Sequence, residues 1–393
     1  MRTKLWLSLV VALPLTAQSV LRVGPGQTYA DIPAAIAAAA PGDLVLIAAG
    51  TYSIFKLDKG LTLRPSPVSA AVMVGVNTLS APSVVEVPIG QRAHLEHLDM
   101  RQPVVVRDPV VVGPPTGVST AGVVSFTEVT VLGGVRVEGA ALAMHRCDIN
   151  GFGGHGVSLA GASTFSASQC TISASSAWFL LPAPAGIFAG DTSKVMVSDC
   201  TIEGGFIGGV HSIAALGSGI TLTGAAKAWC VDSSVLAFQA PLFSPAAPGI
   251  SNQSTQPITI ERTSMVGSQG NAGSSVGAVQ NSLVLGLAMS QPLVRGSTTQ
   301  LNFGTRPGLP VIVHGSLGLG APMIYPSIAQ SDWGFQSNSI TLGFLVANTQ
   351  GQASLPISLP NSVWLQDLPL WFCGWSGLSL PVQLSPVVGG LVQ

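Results

Sequence analysis

The sequence runs to 393 residues, of which only 8% are charged, and its 16 basic and 17 acidic side chains leave a formal net charge of −1. An average soluble domain carries roughly 25% charged residues. Nucleic acid is excluded as a partner, because no basic stripe exists to neutralise phosphates. The same balance argues against a strongly anionic polysaccharide, which would meet a basic cleft. The mean hydropathy of +0.52 is high. Even so, no interior stretch supplies the ~20 uninterrupted apolar residues that a membrane-spanning helix needs. A chain this apolar, with 46 glycines, has to bury long runs of small and β-branched side chains in a regular interior.

Residues 1–19 read as an export signal. Arg2 and Lys4 precede an apolar core from Leu5 to Leu15, and Ala17-Gln18-Ser19 offers a cleavage site. The expectation is an exported protein, extracellular or at the cell surface with the periplasm as the alternative, and without a transmembrane segment once the signal is removed. After Val23-Gly24-Pro25-Gly26, Thr28 with Asp31 resembles a capping box, and the alanines between Ala34 and Ala40 favour a helix that Pro41-Gly42 stops. Strands follow at Leu44 to Ile47 and Leu61 to Leu63, with a turn over Ala49 to Tyr52 between them. One short helix ahead of an otherwise β chain has a physical role, since a solenoid exposes its core at each end and requires a cap.

The segment VGPGQTYADIPAAIAAAAPGDLVLIAAGTY, followed by KGLTLRP, resembles the first coil of pectin-lyase-like right-handed parallel β-helix proteins. That resemblance implies an all-β solenoid with an N-terminal capping helix. It leaves activity open, because the superfamily includes lyases, hydrolases, isomerases and non-catalytic surface proteins.

The middle of the chain repeats. Val157 to Cys170, Ile187 to Cys200, Ile220 to Ser233 and Ile250 to Thr263 share one template, a Gly-apolar pair with a small residue thirteen positions after its apolar member. The column extends less strictly to Leu98, Val129, Cys147 and Asn281, with spacings from 18 to 33 residues. Within the strict coils all length variation falls between the small residue and the next Gly-apolar pair, as a β-helix with loops on one edge requires. Cys147, Cys170 and Cys200 share one inward column. Either a ladder of buried thiols or disulfides fits it; parallel Cβ vectors favour the thiols. The β-helix is assigned to 20–300 and a small β-sandwich-like domain to 301–393, where strands such as Ala353 to Leu359 alternate. The stretch GQASLPISLPNSVWLQDLPLWFCGW resembles a small β domain that ends many exported proteins of environmental bacteria.

Pectate-lyase-type chemistry needs clustered Asp with an Arg or Lys base, and polygalacturonase-type chemistry needs neighbouring Asp with supporting His-Gly and Arg-x-Lys. The sequence holds no Asp-Asp or Asn-x-Asp, its one Arg-x-Lys is Arg2-Thr3-Lys4 within the export signal, and its His155-Gly156 belongs to the coil template. One constellation remains. Arg146, Gln169, Asp199, Asp232 and Arg262 each precede the inward column on successive coils. Asp199 and Asp232, with Arg262 one rung beyond, are the catalytic candidates. Two stacked carboxylates admit calcium or an acid–base pair, while the alternative is a solvated ladder. No metal-ligand spacing and no cofactor motif is present. The variable loops carry Trp178, Phe179, Phe206, His211, Phe238 and Phe243. Of these, Trp178, Phe206, His211 and Phe238 are the ligand-binding candidates, as a sugar-stacking platform or as rings buried within the loops. The favoured reading is a non-catalytic surface or extracellular protein contacting polysaccharide or cell-surface glycan. The alternative is a polysaccharide lyase or glycoside hydrolase with an unusual site. The sequence carries no signal for an oligomeric state.

Overall fold

The computed structural model describes residues 19–75, 81–108, 122–175, 183–209, 212–239, 247–261, 263–268, 275–281, 286–291, 293–316, 340–365, 369–376, 383–384 and 388–392. The export-signal reading therefore lies outside the described residues, apart from Ser19. Strand pairing defines a parallel β-helix of three stacked sheets, wound right-handed as parallel crossovers are. Among the described residues, sheet I has eleven strands, from Val20–Val23 to Val279–Asn281, sheet II nine, from Gly50–Tyr52 to Ser264–Val266, and sheet III nine, from Lys56–Leu57 to Ser275–Val276. One coil takes Val157–Ala160 in sheet III, Thr164–Ser168 in sheet I and Thr171–Ala174 in sheet II. The next coil repeats the path with Ile187–Ala189, Lys194–Ser198 and Thr201–Glu203.

The repeat template is this register. Val157, Ile187, Ile220 and Ile250 are Cα partners in sequence along sheet III, and all four are fully buried in one continuous core. The glycine before each is required by close approach at the corner. A Cβ on Gly186 would sit 2.7 Å from the carbonyl oxygen of Glu203 and 2.8 Å from that of Gly219.

The cap forms as a helix over Ile32–Ala38, with Ile32, Ala35 and Ile36 buried. Its N-cap is Asp31 rather than Thr28. The Asp31 carboxylate accepts from the Ile32 amide at 2.8 Å and also reaches the Ser53 amide at 3.1 Å, tying helix to first coil. Residues Gly50–Tyr52, expected as a turn, open sheet II, because a parallel neighbour at Val72–Val74 supplies their ladder partners.

The cysteines are free and buried. Cys170 Sγ accepts from the Cys147 amide at 3.4 Å and Cys200 Sγ from the Cys170 amide at 3.5 Å, and each of these sulfurs donates to the carbonyl two residues earlier, at 3.2 Å. Ser233 continues the pattern, its Oγ accepting from the Cys200 amide at 3.2 Å. The column thus selects small side chains that satisfy a corner N–H the sheets cannot reach. Burial, and then the neighbouring sulfurs of Cys147 and Cys200, push the Cys170 thiol well above its ordinary value.

Two antiparallel sheets follow. One holds Gly286–Met289, Thr298–Gly304 and Gln352–Ser358; the other holds Pro310–Ser316, Ile340–Val346, Pro369–Ser376, Gln383–Leu384 and Val388–Leu391. Leu287, Leu301, Phe303, Val311, Val313 and Phe372 share one core between them, giving a sandwich. The antiparallel part starts at Gly286, ahead of the expected boundary at 301. Leu287 and Met289 pair with Phe303 and Leu301, and no break in apolar content marks the change of partner. Among the described residues no helix is long and apolar enough to cross a membrane.

Two outcomes follow from the packing. Ile187→Asp leaves an unpaired charge in the core at a cost of several kcal/mol, so circular dichroism should show loss of the cooperative melt. Cys147, Cys170 and Cys200 should react with a thiol reagent only after denaturation and without prior reduction; a Cys170–Cys200 bridge found by mass spectrometry would overturn the thiol ladder.

Candidate functional site

Each coil from His97 to Asp232 turns from sheet I into sheet II through one residue with positive φ. These are His97 (50°), Glu128 (52°), Arg146 (53°), Gln169 (53°), Asp199 (52°) and Asp232 (48°). The left-handed conformation costs a non-glycine residue ~1 kcal/mol. It is what a one-residue corner needs, because it turns the chain while sending this side chain outward and the next one into the core. The outward column read from the sequence is therefore a corner column, running along the solenoid axis.

Its rungs touch. His97 Nδ1 lies 3.1 Å from Glu128 Oε2, and Arg146 Nη1 lies 2.7 Å from Glu128 Oε1. Gln169 Nε2 donates to Asp199 Oδ2 at 3.2 Å and to the Met289 carbonyl at 2.8 Å. Asp199 and Asp232 occupy adjacent rungs, since Ser198 pairs with Val231 before them and Thr201 with Ser234 after them. Both carboxylates are exposed. Arg262 lies outside the described residues.

The carboxylates open into a cleft of ≈ 410 Å³ whose other wall is the sandwich. That wall is made by Asn302, Phe303 and Gly304 on one strand, with Gln350 to Ser354 opposite. Ser198 Oγ donates to the Leu287 carbonyl at 3.2 Å, beside the Gln169–Met289 contact. An edge strand of the sandwich is thus held through its carbonyls by Ser198 of sheet I and the corner residue Gln169, which together cover an otherwise open edge.

Of the candidate loop residues, Phe206 and Phe238 are described, and they pack against each other. Their rings are tilted at 34° with centroids 4.6 Å apart, and they pack on Leu216, Ala237 and Ala247 in a small satellite core. Trp178, Phe179, His211 and Phe243 lie outside the described residues. His155 accepts from the Ala185 amide at 2.9 Å and stacks on Phe188 at 4.8 Å, and its burial lowers its pKa.

Sequence reasoning missed a second polar group. Part of the outward face of sheet I is buried, with Arg64, His94, Glu96, Thr127, His145 and Ser168 all out of solvent. His94 Nδ1 meets Ser125 Oγ at 2.8 Å and His145 Nδ1 meets Ser168 Oγ at 2.9 Å. Burial, outweighing the Glu96 charge, lowers His94 to about 4; burial and then Arg146 lower His145 to about 3. Glu96 is pushed up by burial, but contact with His97 and the charges of His94, His97 and Arg64 prevail and hold it low. Burial pulls His97 down, yet Glu96, 3.5 Å away, and Glu128 outweigh it and raise its pKa. The available signal was the run of small outward residues Ser125, Ser166, Ser168 and Ser198, which permit close approach of a second layer. Among the described residues, no group of three or more His, Cys, Asp or Glu is arranged to hold a metal ion.

No protein-family model matches the chain, and no curated protein matches it. Among solved structures it is similar to the enzymatically active domain of tailspike protein 2 from bacteriophage CBA120. That match has 10% identity and a TM-score of 0.31, covering 84% of this chain and 68% of the other. It is also similar to the full-length tailspike protein 2 of an Escherichia coli O157:H7 bacteriophage, with 9% identity and a TM-score of 0.23 over 84% of this chain and 61% of the other. At that similarity the parallel β-helix rests on the chain's own strand pairing.

The buried histidines set a pH dependence. His94 and His145 bind their proton less tightly when folded than unfolded, so stability should fall as pH drops from 6.5 toward about 4. His97 holds its proton more tightly when folded, so its contribution is complete below 6.5 and is lost as pH rises through its elevated value. Chemical denaturation across pH should show His94→Gln flattening the acid limb and His97→Gln the neutral limb; unchanged slopes would refute both assignments.

Proposed function

We propose that this is an exported protein, acting at the cell surface or in the extracellular space, that contacts glycan through the cleft between the corner column and the sandwich. One observation carries the reading: the cleft of ≈ 410 Å³ joins Asp199 and Asp232 to Asn302, Gln350, Gln352 and Ser354. Carboxylates and amides, with a hydroxyl among them, are the groups that hydrogen-bond sugar hydroxyls as both acceptors and donors. The volume lies within the range of small-molecule sites. Export is supported by the signal-like residues 1–19.

The contact is non-catalytic in this reading. The adjacent rungs of Asp199 and Asp232 favour a second reading, in which the two carboxylates act as acid and base of a polysaccharide lyase or glycoside hydrolase, or together take calcium. The readings separate experimentally. Asp199→Asn and Asp232→Asn should each weaken retardation of the protein in polysaccharide-containing gels while shifting stability by at most ~1 kcal/mol, the scale of an exposed charge pair. No product should form from a polysaccharide panel, and calcium should not raise the melting temperature. Product release abolished by either substitution would establish the enzyme instead, and a calcium-dependent rise lost in both variants would establish the ion site.

A further inference from the structure

The cleft is continuous with a surface of unusual composition. Along Thr298–Gly304 and Gln352–Ser358, burial alternates strictly, so one face of each strand is exposed and the other packs inward. The exposed positions are Thr298, Gln300 and Asn302 on the first strand, and Gln352, Ser354, Pro356 and Ser358 on the second. They face each other in register, Thr298 with Ser358, Gln300 with Pro356 and Asn302 with Ser354. None is ionisable. Solvent-facing strands ordinarily carry Lys or Glu for solubility and against edge-to-edge pairing. Here the positions that would hold charges hold amides and hydroxyls.

These groups are ordered across the strands. Thr298 Oγ1 and Ser358 Oγ lie 2.9 Å apart, and Ser354 Oγ donates to Asn302 Oδ1 at 3.3 Å. Three of the face residues, Asn302, Gln352 and Ser354, also line the cleft. Face and cleft are thus one surface, charge-free along the strands and ending at two carboxylates, with no Lys, Arg or His among the described residues that line the cleft. This surface, in its described residues, meets a polyanion with carboxylates, amides and hydroxyls and with no cation to pair with it. It offers a hydroxyl-rich chain both donors and acceptors without the desolvation cost of a charge.

We infer that the ligand is an uncharged polysaccharide, lying across the exposed face of this sheet and entering the cleft at its Asp199–Asp232 end. The inference rests on the glycan reading of the cleft and names the class of glycan. It is tested by affinity electrophoresis of the full protein in gels containing dextran, mixed-linkage β-glucan or galactomannan. Matched gels contain dextran sulfate or polygalacturonate. Retardation by at least one neutral polymer and by neither anionic polymer is expected. Thr298→Val with Ser358→Ala removes both partners of one hydrogen bond and, combined with Gln300→Ala, leaves the cleft lining intact. This triple variant should lose at least tenfold in affinity with an unchanged melting temperature.

Binding of anionic polymers alone would overturn the inference while leaving the cleft as a glycan site. Neutral binding lost with Asp199→Asn and Asp232→Asn but kept in the triple variant would also overturn it, confining contact to the cleft. Neutral binding lost in the triple variant but kept in both Asp variants would uphold the face and remove the cleft reading. Retardation by no polymer would end both.

Discussion

Lateral hydrogen bonding between coils holds each residue of one coil over its counterpart in the next, and the rest of the structure is a consequence of that register. A parallel ladder admits no slip by one position, since a slip would turn every inward side chain to the outside. Ile187 therefore has to lie between Val157 and Ile220, and Ile172 between Ile149 and Ile202. Length can change only where no ladder runs. In the strict coils that place is the stretch from sheet II to the next sheet III strand, which is where the insertions fall.

Register makes columns, and columns make the surface. A corner that turns on one left-handed residue repeats that residue along the axis, so a side chain suited to one coil acquires neighbours above and below. The stack manages their charges locally. Glu128 lies between His97 and Arg146, while Asp199 is met by the neutral amide of Gln169. The like-charged rungs Asp199 and Asp232 come at the stretch of the column that the sandwich overhangs. There the corner ceases to be an ordinary solvated edge and becomes one wall of a cleft.

The fold was legible because its signal is redundant. The Gly-apolar pair, the small column residue and the one-sided insertions each report the same register, and agreement among them identifies a solenoid without any single strong motif. The corner column was legible for the same reason, including the adjacency of Asp199 and Asp232, although its left-handed backbone was not. What faces the column could not be read. The sandwich docks through two backbone carbonyls, of Leu287 and Met289, and backbone atoms leave no trace in residue identity. For the same reason the burial of His94, Glu96 and His145 was invisible, since alternation within a strand distinguishes two faces but does not say which second layer covers the outer one. The change to antiparallel pairing at Gly286 leaves no mark in the sequence, because Leu287 and Met289 are as apolar as any coil residue.

The two walls of the cleft are unequal in how they are held, and this bears on recognition. The solenoid wall is fixed by three ladders and a continuous core, so Asp199 and Asp232 lose little further freedom when a ligand binds. The sandwich wall has its own core, and its described polar ties to sheet I are the hydrogen bonds from Gln169 and Ser198. Both ties end on the edge strand that pairs with Thr298–Gly304, the strand that carries Asn302. A ligand spanning the carboxylates and Asn302 therefore bridges two bodies whose polar contact among the described residues is small. Its binding free energy adds to the docking free energy by linkage. Under the proposed glycan contact, binding and sandwich docking should strengthen each other, which places Gln169, a rung of the corner column bonded to both Asp199 and Met289, at the point where the two are coupled.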